Sequence, residues 1–405
     1  MVGRISRGGS KIVLALQYVR SIPRFALVKA AGGRPEVATS DLSMLVLGDV
    51  AEPELPAGDW HRVRPTLSGI CGSDLSAISG HVSLYLDPLT SYPFVPGHEV
   101  VGQLSDGTRV VVQPALGCTV RGVVPECANC AAGHPGLCEN VPIGCLEVGL
   151  QTGYCSSTGG GWGEVLVAHR SQLHEVPDSI PDQAAVLLEP LACAIHAALR
   201  GGTAAEDTVL VYGAGTIGLL TAAAIKHLAP HRRLLIVAKH PHQREAALSL
   251  GVDQVIRPEE VFQRVRFATG ARRLQTIGQP VLLGGVDVTF DCVGSTTSLN
   301  SAVRLTRPKG KVIAVGMPGE EKVDWTPIWQ RELTVMGAYA YGKEEKLDGR
   351  QTFDLALELA PQLRLERFTG PLFQLGEYKD AISHAMNAGR MGSVKIAFDL
   401  RGLSN

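Results

Sequence analysis

Between Val209 and Gly218 the chain reads VLVYGAGTIG, and helical apolar spacing follows from Ile217 to His227. An apolar, β-branched run that meets three glycines at positions 213, 215 and 218 and opens directly into a helix leaves few choices of fold. Gly213 permits a tight turn, Gly215 lets the backbone approach a bound group, and Gly218 lets helix and strand pack closely. Downstream the alternation continues through Leu234–Ala238, Gln243–Leu250, Val288–Asp291, Leu299–Leu305 and Lys311–Val315. Strands alternating with helices in this way predict an α/β fold with a doubly wound parallel sheet.

The helix that starts after Gly215 presents unpaired N–H groups and the positive end of its dipole. Gly213, Gly215, Thr216, Ile217 and Gly218 are therefore expected to cradle the pyrophosphate of a dinucleotide. A site that prefers NAD ends its second strand with a carboxylate about 20 residues past the glycines, to accept the ribose 2′-OH. Here that stretch reads VAKHPHQR, with Lys239 where the acid would stand and Arg244 at the following helix start. Cations in those places pair with a 2′-phosphate, so NADP is favoured over NAD.

Upstream of about residue 195 the pattern differs. Short β-rich runs such as Arg109–Val112 and Glu164–Ala168 are broken by glycine and proline, as in a small irregular β domain. Ile12–Leu16 and Phe25–Ala30 read as opening strands, and Arg272–Gln279 as a loop inserted before a strand. Helical spacing over Thr352–Leu363 and a strand-like tail, Val394–Leu400, imply that the chain returns to its first domain. The expected division is residues 1–194 with 344–405, and 195–343 for the nucleotide domain.

A net charge of −1 provides no basic field for nucleic acid or anionic lipid, which points to a small-molecule substrate. The basic leader (Arg4, Arg7, Lys11, Arg20, Arg24, Lys29 and Arg34) is the exception. No apolar run approaches the roughly 18 to 20 residues of a membrane span, so no membrane association is expected. Cysteines number nine, an odd count, and five fall between Cys118 and Cys145. That clustering suits thiolates in a reducing, cytoplasmic setting rather than a disulfide framework.

Cys118, Cys127, Cys130 and Cys138 share a loop rich in glycine and proline, and four thiolates close naturally around a tetrahedral zinc. A site with no open position holds a loop and does no chemistry. A second set is dispersed: Cys71 with Ser73 in GICGSD, then His98 and Glu99 in GHE, then Glu189 in EPL. One sulfur, one imidazole and one or two carboxylates form a catalytic zinc shell with room for a substrate oxygen. Adjacent side chains of an extended segment point to opposite faces, so His98 and Glu99 both ligate only if the backbone bends; otherwise one of Glu99 and Glu189 ligates while the other acts from behind.

Taken in order, Gly69–Asp74, Gly97–Glu99, the cysteine loop, Glu189–Leu191, the Gly213–Gly218 turn and Asp291–Gly294 resemble the zinc-containing medium-chain dehydrogenase/reductase family, from about Leu67 to the C-terminus. Within it the chain is most similar to the sorbitol-type polyol and threonine dehydrogenase branch. The resemblance implies a GroES-like β-rich catalytic domain and a Rossmann domain, with the active site in the cleft between them. It further implies that Cys71 and His98 ligate a catalytic zinc, that Glu99 and Glu189 complete or exchange in its shell, and that Ser73 takes the substrate proton. One structural zinc, a homodimer or homotetramer, and hydride transfer between NAD(P) and a secondary alcohol, polyol or amino alcohol follow in the same way.

Two departures stand out. The compact cysteine loop of the family would place its first thiolate at Val124, where only the more distant Cys118 can substitute. Many relatives also carry a histidine shortly after the serine, whereas this chain has Ser76, leaving water or His81 for the proton's exit. An aldehyde or ketone reductase uses the same parts in reverse. A non-catalytic nucleotide-binding member would be free to lose the ligands at Cys71, His98 and Glu189, all of which are present.

Overall fold

The computed structural model describes residues 11–403. Arg4 and Arg7 of the basic leader fall outside the described residues. The chain forms two compact units, one built from the segment up to Glu189 with Tyr341–Lys343 and the chain after Ala356, the other from Pro190–Ala340 and Glu344–Leu355.

The first unit centres on a seven-stranded sheet. Its order is Thr369–Gln374, Lys395–Asp399, Trp60–Gly69, Val100–Gln103, Arg109–Val112 and Leu173–Glu175, and Leu166–His169 pairs with the outer half of Trp60–Gly69. Valines of the inner strands are buried, Val63, Val101, Val110 and Val112 all at 1% exposure or less, which is why these short runs hold as strands. An antiparallel ribbon of Ile12–Tyr18 and Leu45–Ala51 lies outside this sheet and packs Leu16 and Tyr18 into a core with Ile78, Phe94, Trp162 and Phe398.

Phe25–Ala30, expected as a strand, belongs instead to a helix, Ile22–Ala30. Pro23 in the first turn is pre-set for helical φ and needs no N–H partner there. Phe25 and Val28, three residues apart, then share the face that meets the core, which a strand would split between two faces.

In the second unit six strands are all parallel, in the order Gln254–Ile256, Arg233–Val237, Thr208–Tyr212, Val286–Asp291, Thr306–Ala314, Thr334–Gly337. Chain order reverses beside Thr208–Tyr212, the switch point where such sheets open a crevice. Leu210, Val211, Ile236 and Phe290 are fully buried, as strands covered on both faces require. Arg272–Gln279, expected as a loop, begins with a strand: Arg272–Leu274 pairs with Val281–Leu283 as a hairpin.

Asp182–Gly201 is a helical stretch of 20 residues that is long and apolar enough, by length and composition, to cross a membrane. It is not an uninterrupted apolar run: it carries Asp182, Glu189, His196 and Arg200, and its helix breaks between Ala185 and Leu188. Its most apolar window is 83% buried within the protein, as a core helix is.

Candidate active site

Three strand ends converge in the first unit. Trp60–Gly69 runs antiparallel to Val100–Gln103 with Ser68 opposite Val100, so Cys71, just past one strand, meets His98 and Glu99, just before the other. Lys395–Asp399 pairs on the far side of Trp60–Gly69, with Ala397 opposite Gly69, and its first residue enters the same place. The turn at Gly97 has φ +94, and a Cβ there would meet Trp162 Cδ1 at 2.5 Å and Ser68 Oγ at 2.8 Å. Only glycine allows the backbone to bend there, which brings His98 and Glu99 to one side.

Ligand atoms of Cys71, His98 and Glu99 lie within 4.8 Å of one another. Glu189 is buried at 8% exposure but does not join that group. His98 is buried, and its Nδ1 has no hydrogen-bond partner; Asp74 Oδ1 stands 3.5 Å away. Burial works against a proton on His98, yet Asp74 and Cys71 outweigh it and push its pKa well above the usual imidazole range. A buried imidazole with an unpartnered nitrogen, a thiol and a carboxylate gathered this closely fit a divalent cation, which replaces the proton as the neutralising charge.

Ser73 lies in the first turn of the helix Gly72–Ile78. Asp74, three residues after Cys71, caps that helix by accepting from Cys71 N at 3.0 Å. Its other oxygen accepts from the Tyr154 hydroxyl at 3.1 Å. Glu99 is paired with Lys395, and both side chains are 2% exposed. His81 is exposed, its Nδ1 2.9 Å from Ser79 Oγ. Cys193 belongs to neither thiol-containing cluster.

Cys118, Cys127, Cys130 and Cys138 also gather within 4.8 Å. The long gap is bridged because Cys118 opens a short helix, Cys118–Arg121, that turns its sulfur inward, while Val124 is 90% exposed. Cys118 Sγ and Cys138 Sγ are 3.6 Å apart, near the edge of a tetrahedron whose centre is about 2.3 Å from each sulfur. Backbone N–H groups of Cys118, Cys127, Glu139 and Asn140 donate to these sulfurs at 3.3 to 3.5 Å, which suits thiolates. Arg121, fully buried, donates to the carbonyls of Leu116, Leu146, Glu147 and Gly149 and fixes the lobe. All nine cysteines are free, and the exposed Cys145 stands outside the cluster.

In the second unit the strand Thr208–Tyr212 passes through Gly213 into the helix Thr216–Leu228, with Gly215 as its N-cap. Gly213 has φ +103, and a Cβ on Gly218 would strike the Gly213 carbonyl. Gly215 has nothing within 4 Å of a Cβ position, which leaves space for a phosphate at the helix N-terminus. Thr216 and Ile217 form the first turn of that helix. Asp291, buried, accepts from Val293 N, Gly294 N and Ser298 Oγ and so fixes the neighbouring turn against Gly213. Lys239 is exposed just beyond Arg233–Val237, and Arg244 donates to the Lys239 carbonyl at 3.1 Å.

Four contributors carried no functional assignment in the sequence reading: Asp74, Tyr154, Lys395 and Arg121. Asp74 was within reach through its capping-box spacing from Cys71. Tyr154 and Lys395 arrive from distant segments with no local signal.

The description "Alcohol dehydrogenase GroES-like domain" matches residues 57–178, and "Zinc-binding dehydrogenase" matches 216–360. An L-idonate 5-dehydrogenase of Vitis vinifera is 28% identical, over 84% of this chain and 87% of its own. An L-threonine 3-dehydrogenase of Rhizobium johnstonii is 27% identical, over 91% of this chain and 97% of its own. A short chain alcohol dehydrogenase of Escherichia coli CFT073, solved with NADH, superposes with TM-score 0.70 at 22% identity, covering 96% of this chain and 100% of that one. With both family descriptions matched in order and relatives aligned over most of their own length, the chain belongs to the zinc-containing medium-chain dehydrogenase/reductase family, on its sorbitol- and threonine-dehydrogenase-like branch, whose members are oxidoreductases acting on alcohols.

Proposed function

We propose that this chain is a zinc- and NAD(P)-dependent dehydrogenase that transfers a hydride between the nicotinamide and a secondary alcohol, polyol or amino alcohol. The observation that carries this reading is the gathering of Cys71, His98 and Glu99 within 4.8 Å, with Ser73 two residues from Cys71.

Zinc, when bound, supplies the electron-withdrawing centre that lets an alcohol lose its proton near neutral pH. Cys71 and His98 hold it, with Glu99 and Glu189 as exchangeable carboxylates. Asp74, 3.5 Å from His98 Nδ1, keeps a negative charge beside the ligand group. Ser73 Oγ takes the proton leaving the substrate hydroxyl as its own hydroxyl proton passes on to water or His81. Buried Trp162 and Val95 help to keep water from the strand ends around this group. In the second unit Gly213, Gly215, Thr216, Ile217 and Gly218 hold the pyrophosphate, and Lys239 with Arg244 favours a 2′-phosphate. The four cysteines at 118, 127, 130 and 138 hold a second, structural zinc. Cytoplasmic residence and a homodimer or homotetramer complete the reading.

Elemental analysis is expected to give about two zinc ions per chain from the two ligand groups. His98→Ala is expected to abolish alcohol oxidation while nicotinamide-dinucleotide binding stays nearly intact. Undiminished turnover by that variant would remove the zinc mechanism.

A further inference from the structure

Arg20, Arg24 and Lys29 of the basic leader take no part in the chemistry above, yet all three are used inside one element. Between the ribbon strands Ile12–Tyr18 and Leu45–Ala51 the chain runs through two helices, Ile22–Ala30 and Pro35–Ala38, ahead of the residues matched as GroES-like. Val28, Ala38 and Met44 are fully buried in one core with Ile78, Phe94 and Ile382, so the segment is anchored rather than loose. Arg24 closes it by donating to the Ser43 carbonyl at 3.0 Å, and Lys379 pairs with its Asp41 at 2.7 Å.

This segment and its ribbon grip residues 77–92 at three places. The Tyr18 hydroxyl donates to the Ala77 carbonyl at 3.3 Å. Next, two backbones interlock through glycines. Gly33, buried at φ +61, would place a Cβ 2.8 Å from the Ser79 carbonyl oxygen and closer still to His81 Cε1, while a Cβ on Gly80, at φ +72, would stand 3.2 Å from Lys29 N. Last, Arg20 Nη2 donates to Asp87 Oδ2 at 2.7 Å, and its guanidinium lies 5.7 Å over the Tyr92 ring, whose hydroxyl donates to Asp87 Oδ1 at 3.2 Å. Tyr92 is 5.5 Å from Phe94, on which Tyr18 stacks at 5.0 Å, so this end is set in an aromatic row.

The gripped stretch joins the two ligand motifs. It begins at the end of the helix Gly72–Ile78, whose first turn carries Ser73, and His81 N and Val82 N both donate back to the Ser76 carbonyl. It ends just before the turn that carries His98 and Glu99. Its backbone is irregular, with a 3-10 turn at Leu84–Leu89 and an isolated bridge from Thr90 to Gly149, so side contacts place it where a ladder would place a strand. An alcohol whose oxygen sits at Cys71 and His98 carries its carbon chain out past this stretch.

We propose that residues 20–43 are a specificity brace: through Arg20 and Gly33 they hold residues 79–92 as a fixed wall for the carbon chain of the alcohol. This rests on the dehydrogenase reading above. The Arg20–Asp87 pair is partly exposed, at 55% and 35%, and such pairs add little to global stability, so losing it shifts the position of the wall without unfolding the domain.

The test uses the full-length, zinc-loaded protein, the alcohol that the parent oxidises best, and a shorter homologue of that alcohol. A wall that is in place only part of the time raises KM by that fraction. Arg20→Met is expected to raise KM for the longer alcohol about threefold and Gly33→Ala about fivefold or more. KM for the shorter alcohol, kcat for both, zinc content and dinucleotide affinity read by fluorescence should stay within about 1.5-fold. Arg20→Lys keeps the ion pair and should hold every value within the same range. Hydrogen exchange gives a readout that needs no turnover: amides of residues 79–92 should exchange faster in Arg20→Met and Gly33→Ala than in the parent or Arg20→Lys, while those of Val100–Gln103 stay unchanged.

Parental KM in Arg20→Met, an equal rise in KM for both alcohols, a loss carried by kcat or by zinc content, or parental exchange over residues 79–92 would each overturn the role. A Gly33→Ala chain that fails to fold leaves Arg20→Met to decide. A parent that binds no zinc and oxidises no alcohol removes the dehydrogenase reading and this role with it. An active parent equalled by Arg20→Met removes the inference alone.

Discussion

Lys395 and Glu99 form an ion pair with both side chains 2% exposed, and the ammonium also donates to the Ile70 carbonyl at 3.2 Å. Burial alone would push the lysine's pKa down; the neighbouring Glu99 and Cys71 outweigh it and raise it. Removing one member of such a pair strands the other charge without water. Lys395→Met is therefore expected to destabilise the metal-free protein by about 3 to 5 kcal/mol, and Lys395→Met with Glu99→Gln by clearly less. Urea midpoints of the two variants check this, and equal losses would mean that the pair is not the reason Lys395 is buried.

The cysteine lobe yields a prediction with a built-in control. Cys118→Ser removes the residue that bridges the long gap to Cys127 and is expected to lower zinc from about two to about one per chain. Its lobe should also become open to proteases, since a closed zinc site supplies folding energy to the loop it holds. Cys145→Ser, exposed and outside the cluster, should leave both readings unchanged. Retention of full zinc by Cys118→Ser would show that Cys118 is not a ligand.

Cofactor choice turns on one exposed side chain. Lys239 stands beyond the strand Arg233–Val237, with Arg244 donating to its carbonyl. Lys239→Glu places a carboxylate where it would accept from a ribose 2′-OH and would repel a 2′-phosphate. The ratio of kcat/KM for NADP to that for NAD is expected to fall about a hundredfold, the scale of about 3 kcal/mol for a charge-assisted contact exchanged for repulsion. An unchanged ratio would return Lys239 to the solvated surface.

How much of this was legible in the sequence depended on how local the cause was. The nucleotide turn was readable because each glycine answers to a neighbour a few residues away, as Gly218 does to the Gly213 carbonyl. Cys71, His98 and Glu99 were readable as ligand types, but only strand pairing of Trp60–Gly69 with Val100–Gln103 explains how they meet. Lys395 comes from the last strand and Tyr154 from an irregular loop, so the sequence around each says nothing of its partner. Phe25–Ala30 is ambiguous in sequence because an apolar run of that length fits either element, and the proline in the first turn is the better guide.

The aromatic row that includes Tyr18 and Tyr92 makes stability depend on alkaline pH. Burial and then the charge of Asp87, whose Oδ1 accepts from the Tyr92 hydroxyl at 3.2 Å, push the Tyr92 pKa from the ordinary 10.0 up to about 12. Burial raises that of Tyr18 further still. When the folded value exceeds the unfolded one, the folded state holds the proton longer, so the stabilisation is complete below the unfolded pKa and is lost as pH rises through the folded one. Stability should therefore decline between pH 10.0 and about 12. Phenolate absorbance should rise in two steps, the second coinciding with loss of structure by circular dichroism. Tyr92→Phe removes one of the withheld protons, so its stability should decline less steeply over that range than the parent's. A single phenolate step at ordinary pH with the fold intact would mean that these hydroxyls are open to solvent and that the row is not closed.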